Sequence, residues 1–113
     1  RNVIAVSDQT RGVRMGGFTE PSNAFTNTID YITMASEGNA TDFGDCLGLD
    51  LNGAPVQNAT RGVMMGTEQP SSQLNVIQYI TIATTGDAID FGDLSAARAG
   101  VPAGLSDVHG GLG

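Results

Sequence analysis

At 113 residues the chain has room for one domain, and 15% charged with 40% hydrophobic residues exclude a solvated, disordered polymer. Twelve Asp and Glu face five Arg and no Lys, and the net charge of −7 repels a phosphate backbone, so nucleic acid is excluded as an expected partner. No apolar run approaches the roughly 18 residues of a membrane-spanning helix, so no membrane partner is expected, and the start at Arg1 rather than Met is compatible with a processed or excised fragment, so the lack of a signal peptide says little about export.

Sixteen Gly among many Thr, Ile and Val favour short strands joined by tight turns. Val3-Ile4-Ala5-Val6-Ser7 reads as a buried strand ending in the turn Ser7-Asp8-Gln9. Gly12-Val13-Arg14-Met15-Gly16-Gly17 follows as a second strand that pairs back on the first, with Val13 and Met15 on one face and Arg14 on the other. The stretch from Phe18 to Thr26 is rich in turn formers and predicts an exposed loop. Thr28 to Ala35 alternates as a third strand, and Glu37-Gly38-Asn39 turns it into a fourth, Thr41-Asp42-Phe43-Gly44-Asp45.

The same four elements then return. Thr10-Arg11-Gly12-Val13 reappears as Thr60-Arg61-Gly62-Val63 at a shift of 61 − 11 = 50, and Tyr31-Ile32-Thr33 as Tyr79-Ile80-Thr81 at 79 − 31 = 48, so two residues are lost between the paired words. That loss predicts a variable loop, and segments 17–27 and 67–75 are where a repeat protein would place specificity. Pro55, in the second copy's first strand, fits only a strand start or a position that donates no ladder bond. A degenerate third copy begins near Arg98: Val101-Pro102-Ala103-Gly104-Leu105-Ser106-Asp107 echoes the first strand and His109-Gly110-Gly111 the second. The expected divisions are 1–47, 48–95 and 96–113, within one all-β domain of four-stranded repeats plus a partial third.

An Arg-led first strand, a glycine-rich second strand ending in Gly16-Gly17, a variable loop, a Tyr-bearing third strand and an aromatic in the fourth make the unit resemble a kelch-type β-propeller blade. The wording Tyr-Ile-Thr-x-Ala-x-x-Gly-x-Ala-x-Asp-Phe-Gly-Asp is also similar to propeller-like repeats in phage and marine microbial proteins of unassigned function. The chain departs from the kelch pattern in carrying Phe43 and Phe91 where those blades carry Trp, and Gly66-Thr67 where the first copy has two glycines. The resemblance is compatible with an extracellular or virion-associated location, and the sequence itself does not name a compartment. In a stack of blades Val13, Met15, Ile32, Met34 and Phe43, with Val63, Met65, Ile80, Ile82 and Phe91, are expected to be buried.

Little in the chain points to catalysis. Asp42-Phe43-Gly44 and Asp90-Phe91-Gly92 spell the kinase magnesium motif without a nucleotide loop or a lysine. Their carboxylates, with Asp45 and Asp93, fit neither calcium-loop spacing and read as turn residues. Cys46 stands where the second copy has Leu94, which makes it a small buried hydrophobe. Arg11 and Arg61, the basic residues kept between copies, either ring one face and hold carboxylates or glycan acids, or pair with an Asp of the next blade. His109 takes the Arg slot of the third copy and has no partner for a triad or a zinc site. With Asp8 and Asp107 beside them, Arg11, Arg61 and His109 are the candidate ligand-binding residues, and neither a cofactor nor a metal is expected. Tyr31 and Tyr79, mid-strand among apolar residues, read as packing between blades rather than as a stacking platform.

The expectation is therefore a non-catalytic recognition module for a glycan or protein. A purely structural piece of a larger assembly is the alternative, and a propeller glycosidase a more distant one, since repeated blades supply symmetry where that chemistry needs one asymmetric carboxylate pocket. Two blades cannot close a ring of roughly four to eight, so a homo-oligomer is expected: a trimer of six blades is favoured, and a dimer of five or a trimer of seven follows if the third copy joins the ring.

Overall fold

The computed structural model describes residues 4–19, 24–48, 53–66, 68–69 and 72–98. All the regular structure among these is strand. β1 (Ile4–Ser7), β2 (Arg11–Thr19), β3 (Ala24–Thr33) and β4 (Thr41–Asp45) form an antiparallel meander in chain order. β5 (Ala54–Gln57), β6 (Arg61–Met65), β8 (Ser72–Thr81) and β9 (Ile89–Arg98) repeat it, and the short β7 (Glu68–Gln69) also pairs with β8. Pro55 sits on β5, the edge strand of this sheet, as a residue without a ladder N–H must.

The registers match residue for residue. Val6 pairs with Val13 and Val13 with Tyr31, as Val56 pairs with Val63 and Val63 with Tyr79. Each fourth strand carries a bulge: Asp30 opposes Asp42 and Ile29 opposes Gly44, leaving Phe43 as the extra residue, and Gln78, Asp90, Ile77 and Gly92 repeat the pattern around Phe91.

The expected loop from Phe18 to Thr26 is a correction. Phe18 pairs with Phe25 and Thr19 with Ala24, so most of the segment is hairpin strand. Gly16 makes this possible: at φ 64° it bulges the ladder between Met15 and Gly17 and lets β2 run on beyond its glycines. In the second copy Gly66, at φ 58°, interrupts the strand and β7 resumes it, with Glu68 opposite Gln73 and Gln69 opposite Ser72. The two-residue difference between copies thus falls between Thr19 and Ala24 as against between Gln69 and Ser72, and segments 17–27 and 67–75 are largely strand.

The two sheets stack by opposite faces. Strand alternation puts Ile4, Val6, Val13, Met15, Ile29, Tyr31 and Phe43 on one face of the first sheet, here called the aromatic face, and Gly12, Arg14, Asp30, Ile32 and Met34 on the other, the glycine face. The aromatic face of the first sheet packs on the glycine face of the second, so Met64, Ile80 and Ile82 join Val6, Val13, Met15 and Phe43 in one core. Gly62 lies so close under Val6 that a Cβ there would come 2.5 Å from Val6 Cγ2. Gly44 likewise lies against the backbone of Gly86.

Opposite-face stacking overturns half of the expected core. Ile32 and Met34 are 47% and 52% exposed, whereas their equivalents Ile80 and Ile82 are buried. Phe43 is 3% exposed and Phe91 56%, and Val63 and Met65 are half-buried. Each pair is nearly identical in sequence, and its burial differs because one member faces the neighbouring sheet and the other faces outward. Cys46 is buried, as a residue interchangeable with leucine should be. β9 runs to Arg98, past residue 95 where the second unit was expected to end, and the rest of the partial third copy, 99–113, lies outside the described residues.

Candidate functional site

The repeated polar residues gather at the turns and at the seam between the sheets. Asp8 closes the β1–β2 turn: its Oδ1 accepts from Thr10 N–H at 2.8 Å, Thr10 Oγ1 at 3.1 Å and Arg11 N–H at 2.7 Å. Asn58 does the same with Thr60 and Arg61 at 2.9, 3.1 and 2.7 Å. This is an Asx turn, and the interchange of Asp with Asn marks the side-chain oxygen, not the charge, as the working part. Partial desolvation pushes the Asp8 pKa up, but the hydrogen bonds from Thr10 and Arg11 outweigh it and hold the pKa below the usual carboxylate value.

Asp8 is thus a structural residue, and two consequences follow. Replacing Asp8 by Ala is expected to cost about 1 kcal/mol in a denaturant titration and Asp8→Asn less than half of that. A depressed folded-state pKa contributes stability that is present above the unfolded pKa and lost as pH falls through the folded one. The deficit of Asp8→Asn against wild type should accordingly vanish in acid.

Arg11 lays its guanidinium over the Tyr31 ring, 4.4 Å from the centroid, and donates from Nη1 to the carbonyl of Ile82 in the other sheet at 3.2 Å. Of the two roles expected for the repeated Arg, pairing with an Asp of the neighbouring sheet is not the one Arg11 takes among the described residues. Arg11 does cross the seam, but its acceptor is a carbonyl, and an aromatic face replaces the counter-ion. Arg61 stacks on Tyr79 at the same 4.4 Å, on the outward side of the second sheet. Tyr31 and Tyr79 meet Phe43 and Phe91 edge-on at 5.8 and 5.9 Å, so each aromatic pair supports an arginine.

The carboxylates of the Asp-Phe-Gly-Asp words are exposed, and Asp90 Oδ1 accepts from Gly92 N–H at 3.1 Å within the bulge. Among the described residues no cluster of His, Cys, Asp or Glu has the makings of a metal site. Arg14 and Asp30 form a two-point ion pair, Nε to Oδ1 at 2.9 Å and Nη2 to Oδ2 at 2.8 Å, on the exposed glycine face of the first sheet. An open depression of about 220 Å³ lies at the β8–β9 turn, lined by Thr81, Thr84, Thr85, Gly86, Asp87 and Ile89. Its one carboxylate, Asp87, accepts from Asp45 N–H at 3.0 Å.

Among the described residues the sequence candidates do not share one pocket. Asp8 and Arg11 share a turn, Asn58 and Arg61 share its repeat, and Asp107 and His109 lie outside the described residues. What sequence reading missed is the seam itself, where Gln57 clasps the main chain of Ser7 through Oε1 at 2.8 Å and Nε2 at 2.7 Å. Alongside it Gly86 N–H donates to the Phe43 carbonyl and Ala88 N–H to the Asp45 carbonyl, both at 2.8 Å. The visible signal was the glycine kept in each repeat word, Gly12 as Gly62 and Gly38 as Gly86, small residues where two sheets can approach closely. No protein-family model matches the chain, and no curated protein is significantly similar to it.

Proposed function

We propose that the chain is a non-catalytic recognition module built from β-propeller-type blades, with its variable hairpins as the display elements for a glycan or protein ligand and with copies of the chain completing the ring. The observation that carries this reading is the stacking of opposite faces. A β-sandwich buries two inner faces against each other and is finished. A blade buries one face on its predecessor and offers the other to its successor, and the stacking of the two sheets by opposite faces supports that reading. The kelch-type resemblance of the repeat words supports the same architecture. The repeated Asp8/Asn58 and Arg11/Tyr31 groups serve the turns and the seam, which supports a scaffold rather than a reaction centre.

Length varies between copies only between β2 and β3 and between β7 and β8, which supports residues 20–23 and 70–71 as the recognition elements. The test is a glycan and protein panel read with the wild-type chain and with a variant in which residues 20–23 are replaced by the two residues Pro-Ser of the second copy. Saturable binding to one ligand class, lost in the exchange while the melting curve is kept, is the expected result. A second reading, a purely structural assembly piece, is favoured by the half-exposed apolar face of the second sheet. Absence of binding across the panel would leave that reading in place of recognition.

A further inference from the structure

The seam between the two sheets is a template, and both of its halves recur, unused, on the outer surfaces of the described residues. On the second sheet's aromatic face Val56, Val63, Met65, Ile77 and Tyr79 are half-buried and Phe91 is exposed. On the first sheet's glycine face Ile32 and Met34 are exposed, although their equivalents Ile80 and Ile82 are buried in the seam. We infer that these two surfaces bind each other between copies: the aromatic face of one chain's second sheet seats on the glycine face of the next chain's first sheet, in a head-to-tail contact. This rests on the self-association in the functional reading above and specifies its faces and bonds.

The register of the seam dictates the partners. Arg11 donates to the Ile82 carbonyl, and its equivalent Arg61, poised over Tyr79 by the same 4.4 Å, would donate to the equivalent carbonyl of Met34 in the next copy. Gly86 and Ala88 donate to the Phe43 and Asp45 carbonyls, so Gly38 and Ala40 of the next copy would donate to those of Phe91 and Asp93. Asp87 Oδ1 accepts from Asp45 N–H, and Asn39, in Asp87's position, can accept from Asp93 N–H through its amide oxygen. The close approach of Gly44 to Gly86 needs two residues without Cβ. Their counterparts Gly92 and Gly38 both look into open space, with nothing within 4 Å of a built Cβ. Val6 presses on Gly62, and Val56 would press on Gly12, whose built Cβ meets only Ile32 of its own sheet.

The seam is not copied at every position: Gln57, which clasps the main chain of Ser7, has Ser7 as its own equivalent, too short to make that clasp between copies, and the centre differs as well. Met64 and Gln78 fill the centre of the internal seam, and the first sheet has Arg14 and Asp30 there. An ion pair taken out of water is poorly repaid, so the contact between copies is weaker than the seam within a chain and is reversible. Such a contact is heterologous, so copies add in one direction until a ring closes.

The test is sedimentation velocity across a dilution series on the wild-type chain, on Met34→Glu and on Phe91→Glu, with circular dichroism to verify folding. Both substituted side chains are more than half exposed, so each variant should fold as wild type. Wild type is expected to assemble reversibly. Each variant alone should be monomeric, and an equimolar mixture should form a one-to-one dimer and nothing larger, because each partner keeps one good face. The double variant Arg14→Met/Asp30→Gln should tighten association by roughly tenfold or more. A wild-type chain that stays monomeric at the highest concentration would overturn the inference. So would a Met34→Glu variant that still dimerises, the mark of two aromatic faces meeting symmetrically. Amide exchange on the wild type needs no substitution: Gly38 and Ala40 should become protected as concentration rises, and unchanged exchange in the assembled protein would also overturn it. Absence of wild-type binding to every member of the panel, with assembly intact, would instead remove the recognition reading alone.

Discussion

Gly44→Ala is expected to destabilise the protein far more than Gly92→Ala, although the two glycines occupy the same place in the repeat. Their φ values are 153° and 154°, so any L-residue strains the backbone alike at both. That strain costs about 1–2 kcal/mol. The surroundings differ. A Cβ on Gly44 would run into the Gly86 carbonyl and come 2.9 Å from Asp87 N, whereas one on Gly92 meets nothing within 4 Å. Backbone cannot swing aside as a side-chain tip can, so the sheets would have to part, losing the hydrogen bonds from Gly86 and Ala88 as well. Overpacking adds about 1–3 kcal/mol, and the lost bonds about 1 kcal/mol each. A total of about 4–7 kcal/mol against 1–2 is a large part of a small domain's stability. Denaturant titration of both variants gives the difference, and equal losses would mean that the two sheets do not meet at Gly44.

The second large effect is the asymmetry of the bulge aromatics. Phe43 is 3% exposed, edge-on to Tyr31 in the shared core, and Phe43→Ala should cost about 3–5 kcal/mol. Phe91 is edge-on to Tyr79 in the same geometry but 56% exposed, and Phe91→Ala should cost less than about 1 kcal/mol in the dilute chain. Similar losses from both would mean that the second sheet is covered as well as the first.

These pairs mark where sequence reading ends. The repeat, the four strands of each unit and their pairing order were legible, because alternation and turn residues are local properties. Which apolar face lies inside was not. Both faces of both sheets carry Ile, Val or Met, so alternation identifies two candidate faces and leaves the stacking order to choose between them. Ile32 and Ile80 stand in the same word and end in opposite environments. The copies encode the difference at the centre of the glycine face, with Arg14 and Asp30 where it meets water and Met64 and Gln78 where it is buried. The hairpin at Phe18–Thr26 was hidden by its turn-forming composition, since Gly16 permits a bulge that local propensity reads as an end. Among the candidate site residues, the exchange of Asp8 for Asn58 pointed to a turn. The role of Arg11 depended on the distant Ile82 carbonyl, which no local pattern announces.

The stacking of one sheet's aromatic face on the next sheet's glycine face is tested most directly by amide exchange at four equivalent positions in the monomeric Met34→Glu chain. Gly86 and Ala88 donate across the seam to the Phe43 and Asp45 carbonyls, whereas Gly38 and Ala40 stand at the same turn of the outward face. The stack predicts that Gly86 and Ala88 exchange slowly, with the core of the domain, and that Gly38 and Ala40 exchange near the rate of an open loop. Equal rates in the two pairs would contradict it.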